Sequence, residues 1–218
     1  MSFIDKTNIV IKKNNNDLYY FDIDKDIVLT KINNKNDILL SKILFTGDYS
    51  FVDIWLDTNE KDNIYGIIND KKGKILNLNI EEDNIDKHTM IKYDYKNFIV
   101  KFPYTKHISN IKHTIYYSIN KSIPLLANLI HIYEDDNIYV KNTIDFIDYN
   151  ILSNFVVAYS NNRPIIFYFK LVDKFEELFV STFDLNSRSW SKPIQITKSN
   201  KNKIYLSVLQ DENSNYHI

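Results

Sequence analysis

The sequence predicts an all-β chain built from repeated four-stranded antiparallel units, and three observations carry that expectation. Segments such as FVDIWLD, NIYGIIND, KILNLNI, FVVAYS and PIIFYFK are short and rich in β-branched and aromatic residues, the composition that fits a pleated, half-buried surface. Most are bounded by Asn, Asp, Lys, Ser or Gly, several of which close turns through their side chains or their tolerance of unusual φ. The third observation is self-similarity. Segments opening at Phe51, Phe98, Phe155 and Tyr205 follow one another at intervals of 47, 57 and 50 residues, each with an apolar strand, a polar turn and a second aromatic-containing strand.

Two further strands fit in the intervals, KILNLNI and TMIKYDY after Phe51, and EELFVSTFD and WSKPIQIT after Phe155. Four antiparallel strands recurring every ~40–50 residues are the mark of a β-propeller blade, whose radial packing protects sheet edges. The expected fold is a β-propeller or partial propeller of about four to five four-stranded antiparallel blades, with a β-sandwich as the alternative. One domain over residues 1–218 is expected, its termini either completing a shared blade or marking the N-terminal piece of a longer protein.

Taken in order, residues 8–32 read as the outer part of a blade, and ILLSKILF at 38–45 is either left over or a fourth strand. In FVDIWLD, alternation places Phe51, Asp53 and Trp55 on one face and Val52, Ile54 and Leu56 on the other. IPLLANLIHIYED at 123–135 is open between strand, single turn and helix, since Pro124 and its β-branched residues weaken a helix without excluding one. The final NYHI falls in the second strand of a blade.

Composition narrows the chemistry. The 218 residues include 44% hydrophobic and 14% aromatic ones, enough apolar surface to oppose the entropy of folding. Lys and Arg number 27 against 28 Asp and Glu, a formal charge of −1, so no global field draws nucleic acid or an anionic membrane. Cysteine is absent, which removes disulfides, thiolate zinc sites and cysteine nucleophiles. The opening MSFIDKTNIVIKK lacks a basic region followed by an apolar one, and no apolar run reaches the roughly 20 residues of a membrane span. A soluble chain made in the cytoplasm is expected, with a route to a spore, a phage particle or a cell surface left open. A homo-oligomer is compatible with the same pattern, because an open blade edge seeks a partner.

The hairpin FVSTFDLNSRSWSKPIQIT at 179–197 resembles the Asp-box of sialidase-like bacterial repeat propellers, a Ser/Thr-x-Asp-x-Gly-x-x-Trp turn between the third and fourth strands of a blade. Thr182, Asp184 and Trp190 fill the Ser/Thr, Asp and Trp places, Asn186 replaces the glycine, and the tryptophan arrives one residue late. The resemblance implies a structural turn in which Asn186 takes the left-handed conformation. Asp211, Asn215, Tyr216 and His217 similarly resemble the first-to-second strand passage of such propellers, and Asp57 and Asn63 share it with Gly66 in place of the histidine. Sialidase catalysis itself uses three arginines on the substrate carboxylate, and this chain has only Arg163 and Arg188.

No catalytic or metal motif is present, and neither a cofactor nor a metal is expected. The histidines 88, 107, 113, 131 and 217 lack ligand spacing, and Asp22, Asp24 and Asp26 lack the Gly and Glu of a calcium loop. The ligand-binding candidates are Trp55, Asp53, Tyr65, Tyr104, Tyr159 and Arg163, at or near strand ends where a flat ring stacks on a sugar or anchors a protein. The expected function is a non-enzymatic binding or structural module for a glycan or protein partner. The alternative is a carbohydrate-active hydrolase with Asp53, Asp57 or Glu134 as acid or base, chosen from carboxylate groups that also include Asp135, Glu176 and Glu177.

Overall fold

The computed structural model describes residues 7–218 except 109, 137, 200 and 214. The chain is all-β, in five successive antiparallel sheets, and divides into two compact units, Met1–Tyr93 and Asp94–Ile218. Every described strand pairs only with strands of its own stretch of sequence. No Greek-key connection crosses between sheets among the described residues, as the alternative sandwich requires.

In the first unit, β1 (Thr7–Lys12), β2 (Leu18–Ile32) and β3 (Ile38–Tyr49) form a three-stranded meander. ILLSKILF therefore enters the third strand of the first sheet. Asp22, Asp24 and Asp26 lie inside β2, where Lys25 turns left-handed (φ 66°) and the pairing with β3 slips. Asp26 accepts the Gly47 N–H at 2.9 Å, so these carboxylates belong to a bent strand and not to a loop. Phe51–Asp53 is a turn of 3-10 helix. The strand begins only at Ile54, which corrects the alternation expected from Phe51 onward. The second sheet runs β4 (Ile54–Thr58), β5 (Ile64–Asn69), β6 (Lys74–Glu81) and β7 (Asn84–Lys92) in order. Tyr19, Phe21, Ile23, Ile27 and Leu29 of β2 bury against Ile54, Ile64, Ile68, Leu78 and Ile80 of the second sheet. Full burial of side chains of this size contributes roughly 1.5–3 kcal/mol each.

One turn design recurs. Asn33, Asn59, Asp70 and Asp211 each accept, on Oδ1, the backbone N–H groups two and four residues ahead at 2.8–3.0 Å. Each also donates its own N–H to the carbonyl four residues on. The fourth turn residue is left-handed at Asn36, Asp62 and Gly73 (φ 68°, 62° and 99°), the geometry of a type I turn closed by a bulge. The Asn and Asp content thus satisfies turn donors that the strands leave open.

In the second unit, β8 (Phe98–Ile108), β9 (Ile111–Asn120), β10 (Leu126–Asp135) and β11 (Ile138–Asp148) form one meander. Most of residues 123–135 is thereby strand. Next come β12 (Val156–Ser160), β13 (Arg163–Val172) and β14 (Phe175–Asp184), joined at the β12–β13 hairpin by Asn161 and Asn162, both left-handed, as a two-residue type I′ turn demands. WSKPIQIT supplies two short pieces, β15 (Ser189–Trp190) and β16 (Ile194–Gln195), both paired to β14. Pro193 between them has no N–H to continue the ladder. The last pair is β17 (Leu209–Gln210) with β18 (Tyr216–His217).

Ile115, Tyr117, Leu129 and Ile147 pack on Phe155, Ile166 and Tyr168. Tyr168 donates to Asp145 Oδ2 at 2.9 Å, and Lys170 pairs with the same carboxylate at 3.0 Å, tying β11 to β13. Phe167, Phe169 and Leu178 pack on Leu206. Although Leu206 lies outside any strand, Asn154 grips it by accepting its N–H at 3.1 Å and donating to its carbonyl at 2.8 Å. Glu177, 2% exposed, holds Thr197, Ser199 and Lys203 by pairing with Lys203 at 2.8 Å and accepting from the Ser199 N–H at 2.8 Å and the Thr197 hydroxyl. Burial opposes its charge, but the donors from Lys203, Thr197 and Ser199 outweigh burial and hold its pKa to about 2.

Candidate functional site

Two clusters, one in each unit, bring chemistry-bearing side chains together. In the first unit the β4–β5 hairpin sets Trp55 opposite Ile67 and Asp57 opposite Tyr65. Residues two apart on a strand share a face, so Trp55, Asp57 and Tyr65 stand on one side. The Trp55 and Tyr65 rings meet edge to face, 5.7 Å apart at 70°, and the Tyr65 hydroxyl reaches Asp57 Oδ2 at 3.5 Å. All three are half-buried. Gly66 makes the hairpin possible, since a Cβ there would sit 2.3 Å from the Trp55 carbonyl oxygen and 2.6 Å from Leu56 Cδ2.

Asp53 does not share this exposure. It is fully buried. Its Oδ2 accepts from the Ser50 N–H and hydroxyl at 3.0 Å each and pairs with Lys71 at 2.9 Å. The carboxylate closes the loop ahead of β4.

In the second unit a bulge between Lys101 and Tyr104, with Phe102 left-handed (φ 51°), bends β8; such bulges re-aim the side chains that follow. The Tyr104 hydroxyl donates to that of Tyr159 at 3.1 Å. Burial raises the Tyr159 phenol well above its ordinary value, against the lowering effect of the Tyr104 bond. Arg163 is exposed at the start of β13, outside these ring contacts.

Behind the tyrosines lies a histidine pair whose cross-strand partnership sequence spacing does not display. His113 on β9 and His131 on β10 are both completely buried, with rings 5.3 Å apart and nearly parallel. His113 also contacts Tyr159 at 6.3 Å, and His131 contacts Phe183 at 4.8 Å. His113 Nδ1 and His131 Nε2 are 3.0 Å apart, and the Trp190 indole N–H donates to His131 Nδ1 at 3.1 Å. Burial holds His113 to a pKa of about 4 and His131 well below the usual imidazole range. Both histidines fall at buried positions of adjacent strands, a placement set by the register of β9 on β10.

The 182–190 turn is tied by Asp184 Oδ1, which accepts the Ser187 N–H at 2.7 Å and hydroxyl at 3.0 Å. Thr182 contributes its backbone to Ser191. The left-handed residue is Arg188 (φ 51°) and not Asn186; the extra residue before Trp190 moves the tight bend toward the second strand. Among the described residues no cluster of three His, Asp or Glu is arranged to hold a metal.

No family model matches the chain, and no curated protein does. Among solved structures it is similar to a bifunctional GH43-CE protein of Bacteroides eggerthii, at 10% identity and a TM-score of 0.50, over 93% of this chain and 27% of that one. It also aligns with the fission yeast SREBP-SCAP binding domains at 13% identity and a TM-score of 0.48, over 97% of this chain and 54% of that one. The chain thus spans about a quarter and about half of these two. The first likeness is to a protein of propeller architecture, and it matches the successive four-stranded meanders. The fold is propeller-like. At this identity the likeness concerns the fold alone. No helix of the described residues is long and apolar enough to cross a membrane.

Proposed function

We propose that this chain is a non-enzymatic binding module that recognises a glycan through the face made by Trp55, Tyr65 and Asp57. The observation that supports this reading is the shared, half-buried side of the β4–β5 hairpin, where two aromatic rings stand beside a carboxylate. A ring offers a flat apolar surface to the C–H face of a sugar, and a carboxylate accepts from its hydroxyls. Hydrolysis of a glycoside would require two carboxyl groups held across the scissile bond, and Asp53 turns inward to Ser50 and Lys71.

A glycan array followed by titration of the best binder tests the reading. Trp55→Ala should weaken binding about tenfold or more, a loss of roughly 1.4 kcal/mol or above that fits an aromatic anchor. Arg163→Ala, on the other unit, should leave binding unchanged. Absence of saturable binding to any sugar would shift the same face to a protein partner. Turnover of a fluorogenic glycoside that disappears in Asp57→Asn would replace binding by hydrolysis.

A further inference from the structure

We propose that Trp190, His131 and His113 form a proton-operated latch, in which a proton taken up by either imidazole breaks the indole hydrogen bond and frees the β14–β15 hairpin.

The direction of every hydrogen bond follows from one fixed donor. The Trp190 indole has an N–H and no lone pair to offer, so His131 Nδ1, 3.1 Å away, is unprotonated. A neutral His131 then carries its hydrogen on Nε2 and donates it to His113 Nδ1 at 3.0 Å. His113 in turn carries its hydrogen on Nε2, which is buried and has no partner among the described residues. A proton added directly to His131 places an N–H against the indole N–H. One added to His113 at Nδ1 obliges His131 to accept at Nε2 and hold its hydrogen on Nδ1, which produces the same clash. Wherever the proton enters, two donors face each other at Trp190.

What the latch restrains is short. β15 has two residues, paired through Phe183 with Trp190 and Asp184 with Ser189, and the turn before it bears Arg188 over the Tyr133 ring at 5.9 Å. Asn142 on β11 donates to the Arg188 carbonyl at 3.1 Å. The titratable and charged groups around the pair include Tyr133 on β10, Tyr159 on β12 with Tyr104 behind it, Arg188 in the turn, and Lys106, which stands opposite His113 on β8. His107 on β8 acts on His113 and stands near Lys112 and Glu134. Among the described residues no carboxylate stands out as a partner of either imidazole, and burial keeps the latch closed at neutral pH.

The chain has two tryptophans, and Trp55→Phe leaves Trp190 as the single indole reporter. Its emission and acrylamide quenching, followed from pH 7.5 downward beside far-ultraviolet circular dichroism, should show the indole becoming solvated near the pH of about 4 set for His113, with the strand signal intact. His131→Phe in that background should flatten the response. A Trp190 signal that changes only in step with the strand signal, or that still titrates without His131, overturns the latch. If His131→Phe does not fold, indole N–H exchange in the otherwise native chain decides. Loss of protection in acid ahead of the β13 amides supports the latch, and loss together with them refutes it.

Discussion

Gly66→Ala should prevent the second sheet from closing. The added methyl would lie 2.3 Å from a backbone oxygen, that of Trp55, and 3.2 Å from the Leu56 Cα, so no side-chain rotation relieves it. The strands must move apart at the centre of the β4–β5 ladder, where Leu56 pairs with Gly66. Overpacking a rigid site costs about 1–3 kcal/mol and more where backbone is struck; here the upper end or beyond is expected. Gly47→Ala provides the comparison, because its methyl would approach the Tyr49 ring at 2.9 Å, and a ring can shift. Urea denaturation followed by tryptophan emission should show Gly66→Ala largely unfolded without denaturant and Gly47→Ala with a modest loss. Equal losses would show that close backbone approach does not govern the hairpin.

Acid should destabilise the second unit in two steps of different origin. The histidine pair is held below its unfolded value of about 6.5, so below that pH the unfolded chain binds protons that the folded chain refuses. Each histidine then removes about 1.4 kcal/mol of stability per pH unit, until its folded pKa is reached, at about 4 for His113. Glu177 acts lower. Its depressed pKa supplies stability that is complete above the usual carboxylate value and is lost as pH falls toward about 2. Glu177→Gln should cost about 1–3 kcal/mol at pH 7, since it removes the charged acceptor of Lys203, Ser199 and Thr197, while Lys203 keeps the Glu176 and Lys201 carbonyls and the Ser199 hydroxyl. The gap between this variant and the parent in urea midpoint should narrow from pH 4.5 to 2. A gap independent of pH would assign the effect to packing instead of charge.

The strands of the second sheet were legible because their apolar runs are short and Asn, Asp or Gly marks each turn. Residues 123–135 were not, because β10 is continuously buried over half of its length, from Leu129 to Tyr133; burial on both faces erases the alternation that identifies a strand. FVDIW misled in the opposite way, since its polar and apolar residues alternate through a 3-10 turn whose Asp53 is buried by its partners and not by a strand face. Trp55, Tyr65, Tyr104 and Tyr159 could be nominated as rings near strand ends. Which of them meet depends on register and on the Phe102 bulge, neither of which is written in residue spacing. The histidine pair is hidden in the sequence for the same reason, because 18 residues separate His113 from His131 along the chain and only the ladder brings them together.

Because each long sheet is stitched from consecutive strands, with the same Asx-closed bend repeated between several of them, most of its contacts can form before distant sequence has emerged. Ribosomal synthesis can therefore deliver the chain one finished sheet after another, keeping few exposed edges waiting for late partners. Fusing or duplicating a whole meander would leave every neighbouring ladder intact, so length can change in such a chain by the sheet rather than by the residue.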